Sequence, residues 1–201
     1  MRLVATISNP DEITLAGRAD LIEIRLDLYD FTAENIRKLV GKKGVIATFR
    51  RVAEGGKYRG SDSERIRRLK EFAEGCRAEF VDLENDLPDQ AFDFNCQIIE
   101  SYHNFTETPE YSELKGIVES ARGDIVKIAT MGRSKRDVLK IVRLLTEYDN
   151  VVSFLMGKNY SFTRLFSAFL GSPLVYCYVG EPKAPGQIHL DDAYRIVNVL
   201  R

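Results

Sequence analysis

The chain has 201 residues, enough for one sizeable core, and its 44% apolar and 29% charged content is that of an ordinary globular protein. A net charge of -1 supplies no basic field for nucleic acid, and no apolar stretch reaches the length of a membrane span. Cys76, Cys96 and Cys177 are too scattered for a disulfide framework, and the two histidines, His103 and His189, sit in no Cys/His cluster of zinc spacing; a reducing cytoplasm and no metal site are expected.

Met1-Arg2-Leu3-Val4 reads as the start of a strand rather than a signal peptide. Short apolar, β-branched runs then recur at 3–7, 21–26, 45–49, 80–83, 97–102, 125–129, 151–155 and 174–178. Helical patterns lie between them, near 11–17, 32–40, 62–74, 88–93, 110–121, 133–148, 160–170 and 190–200. Within 133–148, Val138, Ile141, Val142, Leu144 and Leu145 form an apolar stripe at helical spacing. Ser61-Asp62-Ser63-Glu64 can cap the third helix, because its side-chain oxygens accept from free backbone N–H groups. Eight β–α units in one uninterrupted series over residues 1–201 predict the α/β class: a compact (β/α)8 TIM barrel, with the catalytic site in that single domain. A doubly wound open sheet is the alternative, but the first strand is not followed by the Gly-x-Gly-x-x-Gly turn of a dinucleotide fold.

In such a barrel, chemistry collects at the C-terminal ends of the strands. The second strand alternates Glu23, Arg25 and Asp27 with apolar residues, which turns the charges inward and the apolar face onto the helices. A solvated edge strand gives the same alternation, but a closed sheet has no edges. The third strand runs into Thr48-Phe49-Arg50 and then Glu54-Gly55-Gly56, and the fourth carries Asp82 and Glu84. The fifth leads into Ser101-Tyr102-His103-Asn104-Phe105, placing an imidazole, the side chain suited to proton transfer near neutral pH, at the mouth.

Lys127 interrupts the apolar run Ile125-Val126-Lys127-Ile128-Ala129. A buried ammonium either finds a partner or loses its proton, and a neutral amine attacks ketones and aldehydes to form a Schiff base. The other reading is a lysine whose stem lies along the strand while its tip reaches water. Farther on come Met156-Gly157 at the end of the seventh strand, Arg164 in the next helix, and the loop Gly180-Glu181-Pro182-Lys183-Ala184-Pro185-Gly186-Gln187, whose prolines and glycines suit a shaped lid.

Taken in order, these pieces resemble type I 3-dehydroquinate dehydratase, the Schiff-base enzyme of the shikimate pathway. The carriers are Glu23-Ile24-Arg25, Thr48-Phe49-Arg50 with Glu54-Gly55-Gly56, Ser101 to Phe105, Lys127, Met156-Gly157 with Arg164, and Ala184-Pro185-Gly186-Gln187. The resemblance implies a (β/α)8 barrel that needs no cofactor and converts 3-dehydroquinate, a small molecule, to 3-dehydroshikimate and water. By motif match, Lys127 forms the imine, His103 is the acid–base group and Glu54 assists it. Glu23, Arg25 and Arg50 match residues that hold the ring hydroxyls, and Arg164 and Gln187 match those that hold the carboxylate. Met156, Lys183 and Ala184 complete the substrate-binding set, and a homodimer is common in the family. Nearby arginines are expected to favour the neutral form of Lys127.

The chain departs from the family pattern in two ways. Lys183 stands where a small hydroxyl residue is usual, and an ammonium there can approach a carboxylate. The first strand also begins without the hairpin that closes the barrel bottom in bacterial members, so side chains or a partner subunit must cover it. Two rival readings are a class I Schiff-base aldolase and a non-catalytic barrel serving as a binding protein. The aldolase would want a Gly-rich phosphate site after the last two strands, and the binding protein gives no reason for Lys127 and His103 to meet.

Overall fold

Inward and outward positions alternate along every strand, and that alternation builds the molecule. The computed structural model describes residues 1–184 and 186–199. Its eight long strands are β1 (Arg2–Ile7), β2 (Leu21–Arg25), β3 (Gly44–Thr48), β4 (Phe80–Glu84), β5 (Gln97–Asn104), β6 (Ile125–Met131), β7 (Val151–Met156) and β8 (Leu174–Tyr178). All the ladders between them are parallel, in the order β7-β6-β5-β4-β3-β2-β1-β8. Helices α1 (Ala33–Leu39), α2 (Asp62–Cys76), α3 (Tyr111–Glu119), α4 (Lys135–Glu147), α5 (Thr163–Phe169) and α6 (Leu190–Val199) cover the outside. This is the (β/α)8 barrel that the pattern predicts.

The lower interior is apolar: Val4, Leu21, Ile46, Phe80, Ile99, Ile125, Val152 and Leu174 form one buried cluster. Intervening residues such as Ala5, Ile22, Ile24, Val81 and Leu83 pack outward against α1, α2 and α6, and Val126, Ile128 and Leu155 pack against α3 and α4. Two positions up from the apolar layer the interior turns polar, with Thr6, Glu23, Thr48, Asp82, Ser101 and Lys127 all buried. Each such group must find a partner there.

Several expected elements differ. The stretches expected as helices at 11–17 and 88–93 are 3-10 turns at Pro10–Leu15 and Asp89–Phe92. In the first, Asn9 Oδ1 accepts from the N–H groups of Asp11 and Glu12 directly around Pro10, capping a short 3-10 segment of six residues. The stretch at 160–170 is split into a 3-10 turn at Lys158–Tyr160 followed by α5. A ninth strand, β9 (Ile188–His189), was not foreseen; it pairs in parallel with the upper end of β8. Pro185 of the expected lid and Leu200 of the last expected helix lie outside the described residues.

The closure expected to remove every edge is also incomplete, because among the described residues no ladder joins β7 to β8. Side chains satisfy the strands there instead. The N–H of Leu155 on β7 donates to Thr163 Oγ1 at 2.9 Å, and Ser172 Oγ donates to the carbonyl of Leu174 on β8 at 3.0 Å. At the bottom, Arg2 reaches from β1 to Glu79, ahead of β4, in a two-point ion pair with one contact of 2.9 Å. This ion pair ties the start of β1 to the approach of β4 below the apolar layer.

Candidate active site

The polar upper interior is an ion network centred on Asp82. Its Oδ2 accepts from Lys127 Nζ at 2.6 Å, and its Oδ1 takes Arg50 Nη2 at 2.8 Å and Ser101 Oγ at 2.6 Å. Burial works to raise the Asp82 pKa, but Arg50 and Lys127 overcome it and hold the carboxyl well below the usual carboxylate range. Lys127 is 5% exposed, so its tip does not reach bulk water; of the alternatives for a buried ammonium, the structure shows the paired one. The Tyr176 ring centroid lies 4.6 Å from the same nitrogen and adds a cation–π contact.

Arg50 Nη1 also approaches Glu84 Oε1 at 3.4 Å, and Glu84 in turn meets Arg65 Nη1 at 2.8 Å. Burial acts to lower the Arg50 pKa, yet Asp82, Glu84 and Glu23 raise it beyond its ordinary value, so the guanidinium is permanently charged. Glu23 is held from both sides, by Thr6 Oγ1 at 2.7 Å and Thr48 Oγ1 at 3.0 Å. Arg25 is clamped by Asp27 through two hydrogen bonds of 2.9 and 2.7 Å. Asp27, just beyond β2, also accepts from the backbone N–H groups of Arg50 and Lys57 and so braces the loop after β3.

That loop carries Glu54. Gly55 follows at φ +76, and a Cβ there would lie 2.7 Å from the Phe105 ring, so only glycine allows the turn and the close approach. Glu54 Oε2 then lies 2.9 Å from His103 Nδ1. The His103 ring stacks near Phe105, with centroids 6.1 Å apart and planes at 13°. Burial pushes the Glu54 carboxyl up to about 7, with Arg50 acting against it. Burial and then Arg50 and Lys127 push His103 well below its ordinary value, so its neutral form is favoured.

One cavity of about 90 Å3 brings these groups together. Lys127, His103 and Glu54 line it with Glu23, Arg25 and Arg50 from the strand ends. Met156, Arg164, Lys183, Ala184 and Gln187 line the side formed by β7, α5 and the loop after β8. Arg164 is 4% exposed, and its guanidinium stands 4.1 Å from the Phe154 ring centroid; burial draws its pKa down to about 10. Lys183 borders the cavity, but its ammonium is directed to Glu12 at 2.6 Å. Among the described residues, no three His, Cys, Asp or Glu side chains form a metal-binding group.

Sequence reasoning left the role of Asp82 open and did not single out Arg65. Both had a signal. Asp82 and Glu84 alternate on β4 just as Glu23 and Arg25 do on β2. Arg65 continues the buried stripe Leu69, Phe72 and Cys76 at helical spacing, which marks it as the inward arginine of α2. The lysine and imidazole that a passive binding barrel gives no reason to juxtapose share one cavity wall.

A sequence profile of the type I 3-dehydroquinase family matches residues 7–201. A 3-dehydroquinate dehydratase of Archaeoglobus fulgidus is 60% identical over 200 residues, covering 100% of each chain. One from Methanothermobacter thermautotrophicus is 38% identical over 206 residues, covering 95% of this chain and 92% of the relative. The crystal structure of the Geobacillus kaustophilus 3-dehydroquinate dehydratase superposes with a TM-score of 0.85 at 24% identity, covering 99% of this chain and 90% of that one, and so shares the fold. On the profile match and these identities, the chain belongs to the type I 3-dehydroquinase family.

Proposed function

We propose that this protein is a 3-dehydroquinate dehydratase, a hydro-lyase of the shikimate pathway acting through a Schiff base on Lys127. The observation that carries the assignment of roles is the Lys127–Asp82 contact of 2.6 Å in the wall of the cavity that His103 shares. Lys127 Nζ, once deprotonated, adds to the ketone carbon of the substrate, and the carbonyl oxygen leaves as water. The iminium carries the same positive charge as the ammonium it replaces, so Asp82 and the Tyr176 ring stabilise it without rearrangement. His103, neutral through burial, takes the C2 proton, and the electrons flow into the iminium to give an enamine. The resulting imidazolium returns the proton to the β-hydroxyl, which departs as water while the ring gains its double bond. Hydrolysis of the imine frees 3-dehydroshikimate and restores Lys127. Arg25, Arg50 and Glu23 face the ring hydroxyls from the strand ends, while Arg164 and Gln187 hold the carboxylate, with Met156 and Ala184 shaping the pocket beside them.

The test is trapping. Borohydride added with 3-dehydroquinate is expected to inactivate the protein and leave the reduced adduct on Lys127, located by peptide mass. Lys127→Ala abolishes the adduct; His103→Ala still forms it but turns over about two to four orders of magnitude more slowly. An adduct on another lysine, or turnover with no adduct, rejects the Schiff-base assignment.

A small-molecule substrate is the only partner the site chemistry requires, and no helix of the described residues is long and apolar enough to cross a membrane. The three cysteines are free, which supports a reducing cytoplasm as the location. Phe162, Phe166 and Phe169, on and just before α5, are 51%, 42% and 45% exposed, and they support a homodimer through that face. Light scattering is expected to give twice the chain mass, falling to one chain mass in Phe166→Glu; a monomeric wild type removes the dimer.

A further inference from the structure

The loop after β8 contains an ion pair that this chemistry does not use. Lys183 and Glu12 come from opposite ends of the chain, with side chains only 6% and 8% exposed, and meet at 2.6 Å. The ammonium also donates to the carbonyls of Val179, at 3.5 Å, and Glu181. The second oxygen of Glu12 accepts from the N–H and the hydroxyl of Ser8, at 2.7 and 3.1 Å. The fit leaves little slack: Gly180 has φ +62, and a Cβ on it would lie 2.8 Å from Glu12 Oε1. The backbone of the same lysine anchors a binding residue, because the N–H groups of Lys183 and Ala184 both donate to Gln187 Oε1, at 2.6 and 3.1 Å. With that oxygen engaged twice, the polar group Gln187 has left for a ligand is its amide nitrogen, a donor suited to a carboxylate.

We propose that Lys183 is a positioning residue whose ion pair with Glu12 latches the β8 loop over the cavity and sets Gln187 before substrate arrives, rather than a group that binds the substrate carboxylate itself. A loop ordered by the protein's own contacts does not have to be ordered at the expense of binding. The kinetic consequence rests on the dehydratase reading; the ordering of the loop does not.

Lys183→Met keeps the apolar stem and removes the charge, and Glu12→Gln keeps the shape and the acceptor for Ser8. Hydrogen exchange at the amides of Lys183, Ala184, Gly186 and Gln187 is expected to quicken about tenfold in each variant, with exchange elsewhere as in wild type. KM for 3-dehydroquinate is expected to rise about tenfold with kcat within about twofold, and the double variant to be no worse than either single one, because both remove one interaction. Should Glu12→Gln fail to fold, Lys183→Met decides alone. Loop exchange unchanged from wild type overturns the latch, as do KM effects that multiply in the double variant or a loss confined to kcat. A wild-type protein that exchanges as described but never dehydrates 3-dehydroquinate overturns the reaction and leaves the latch standing.

Discussion

A histidine can act as a base only through the ring nitrogen that lacks a proton, so the state of Glu54 decides what His103 can do. As a carboxylate, Glu54 accepts a hydrogen bond from Nδ1–H across 2.9 Å and leaves Nε2 basic. As a carboxylic acid it donates to Nδ1, the ring proton moves to Nε2, and the base is lost. Burial lifts the Glu54 carboxyl to about 7, while His103 stays neutral to well below its ordinary value. The useful carboxylate therefore disappears as pH falls through about 7, ahead of any protonation of the imidazole. The expected kcat/KM profile has an acid limb near 7 that belongs to Glu54. In Glu54→Gln the amide oxygen still accepts from Nδ1–H at every pH, so that limb disappears, and kcat falls about tenfold through loss of the charge facing the imidazolium. An acid limb that stays near 7 in this variant assigns it to another group.

At the scale of the element, the strands and their inward charges were legible because a period of two is a local property. The chain shows Glu23 and Arg25 on one face of β2, and Lys127 alone amid an apolar strand, without any knowledge of neighbours. What the chain does not show is who neutralises whom. The partner of Lys127 is Asp82, two strands away, and β4, β5 and β6 are brought side by side only by the register of their ladders. Arg65 is the clearest case, lying fully buried on α2 among exposed Arg67 and Arg68. It donates to the Phe49 carbonyl at 2.7 Å, to Asp62 at 2.7 and 3.0 Å, and meets Glu84 at 2.8 Å, so it carries the charge network from the cavity into the helix layer. Removing its charge strands Glu84 beside only Arg50. Arg65→Leu is expected to lower the unfolding free energy by about 3–5 kcal/mol, against less than about 0.5 kcal/mol for the exposed Arg68→Leu, measured by urea denaturation. Equal, small losses would place Arg65 outside the network.

Across the whole molecule, an apolar layer stands between the base of the barrel and the cavity. The eight apolar side chains of the lower interior separate the Arg2–Glu79 pair at the base from Lys127 and His103 above. The incomplete seam between β7 and β8 was out of reach of sequence patterning, since each strand alone reads like its fellows. It depends on contacts outside the strands: Thr163 binds the Leu155 N–H on β7, Ser172 binds the Leu174 carbonyl on β8, and β9 pairs with the upper end of β8. The base is different again: Arg2, two positions before Val4 on β1, reaches Glu79 ahead of β4 below the apolar layer. Arg2 and Glu79 are more than a third exposed on their side chains, so their attraction is screened and the pair contributes about 1 kcal/mol at most. Arg2→Ala is therefore expected to lower the unfolding free energy by about 1 kcal/mol, while kcat and KM remain within about twofold of wild type, because the layer between the base and the cavity is apolar. A loss of activity without a loss of stability would mean that the two ends of the barrel are coupled, contrary to the division that the layered interior imposes.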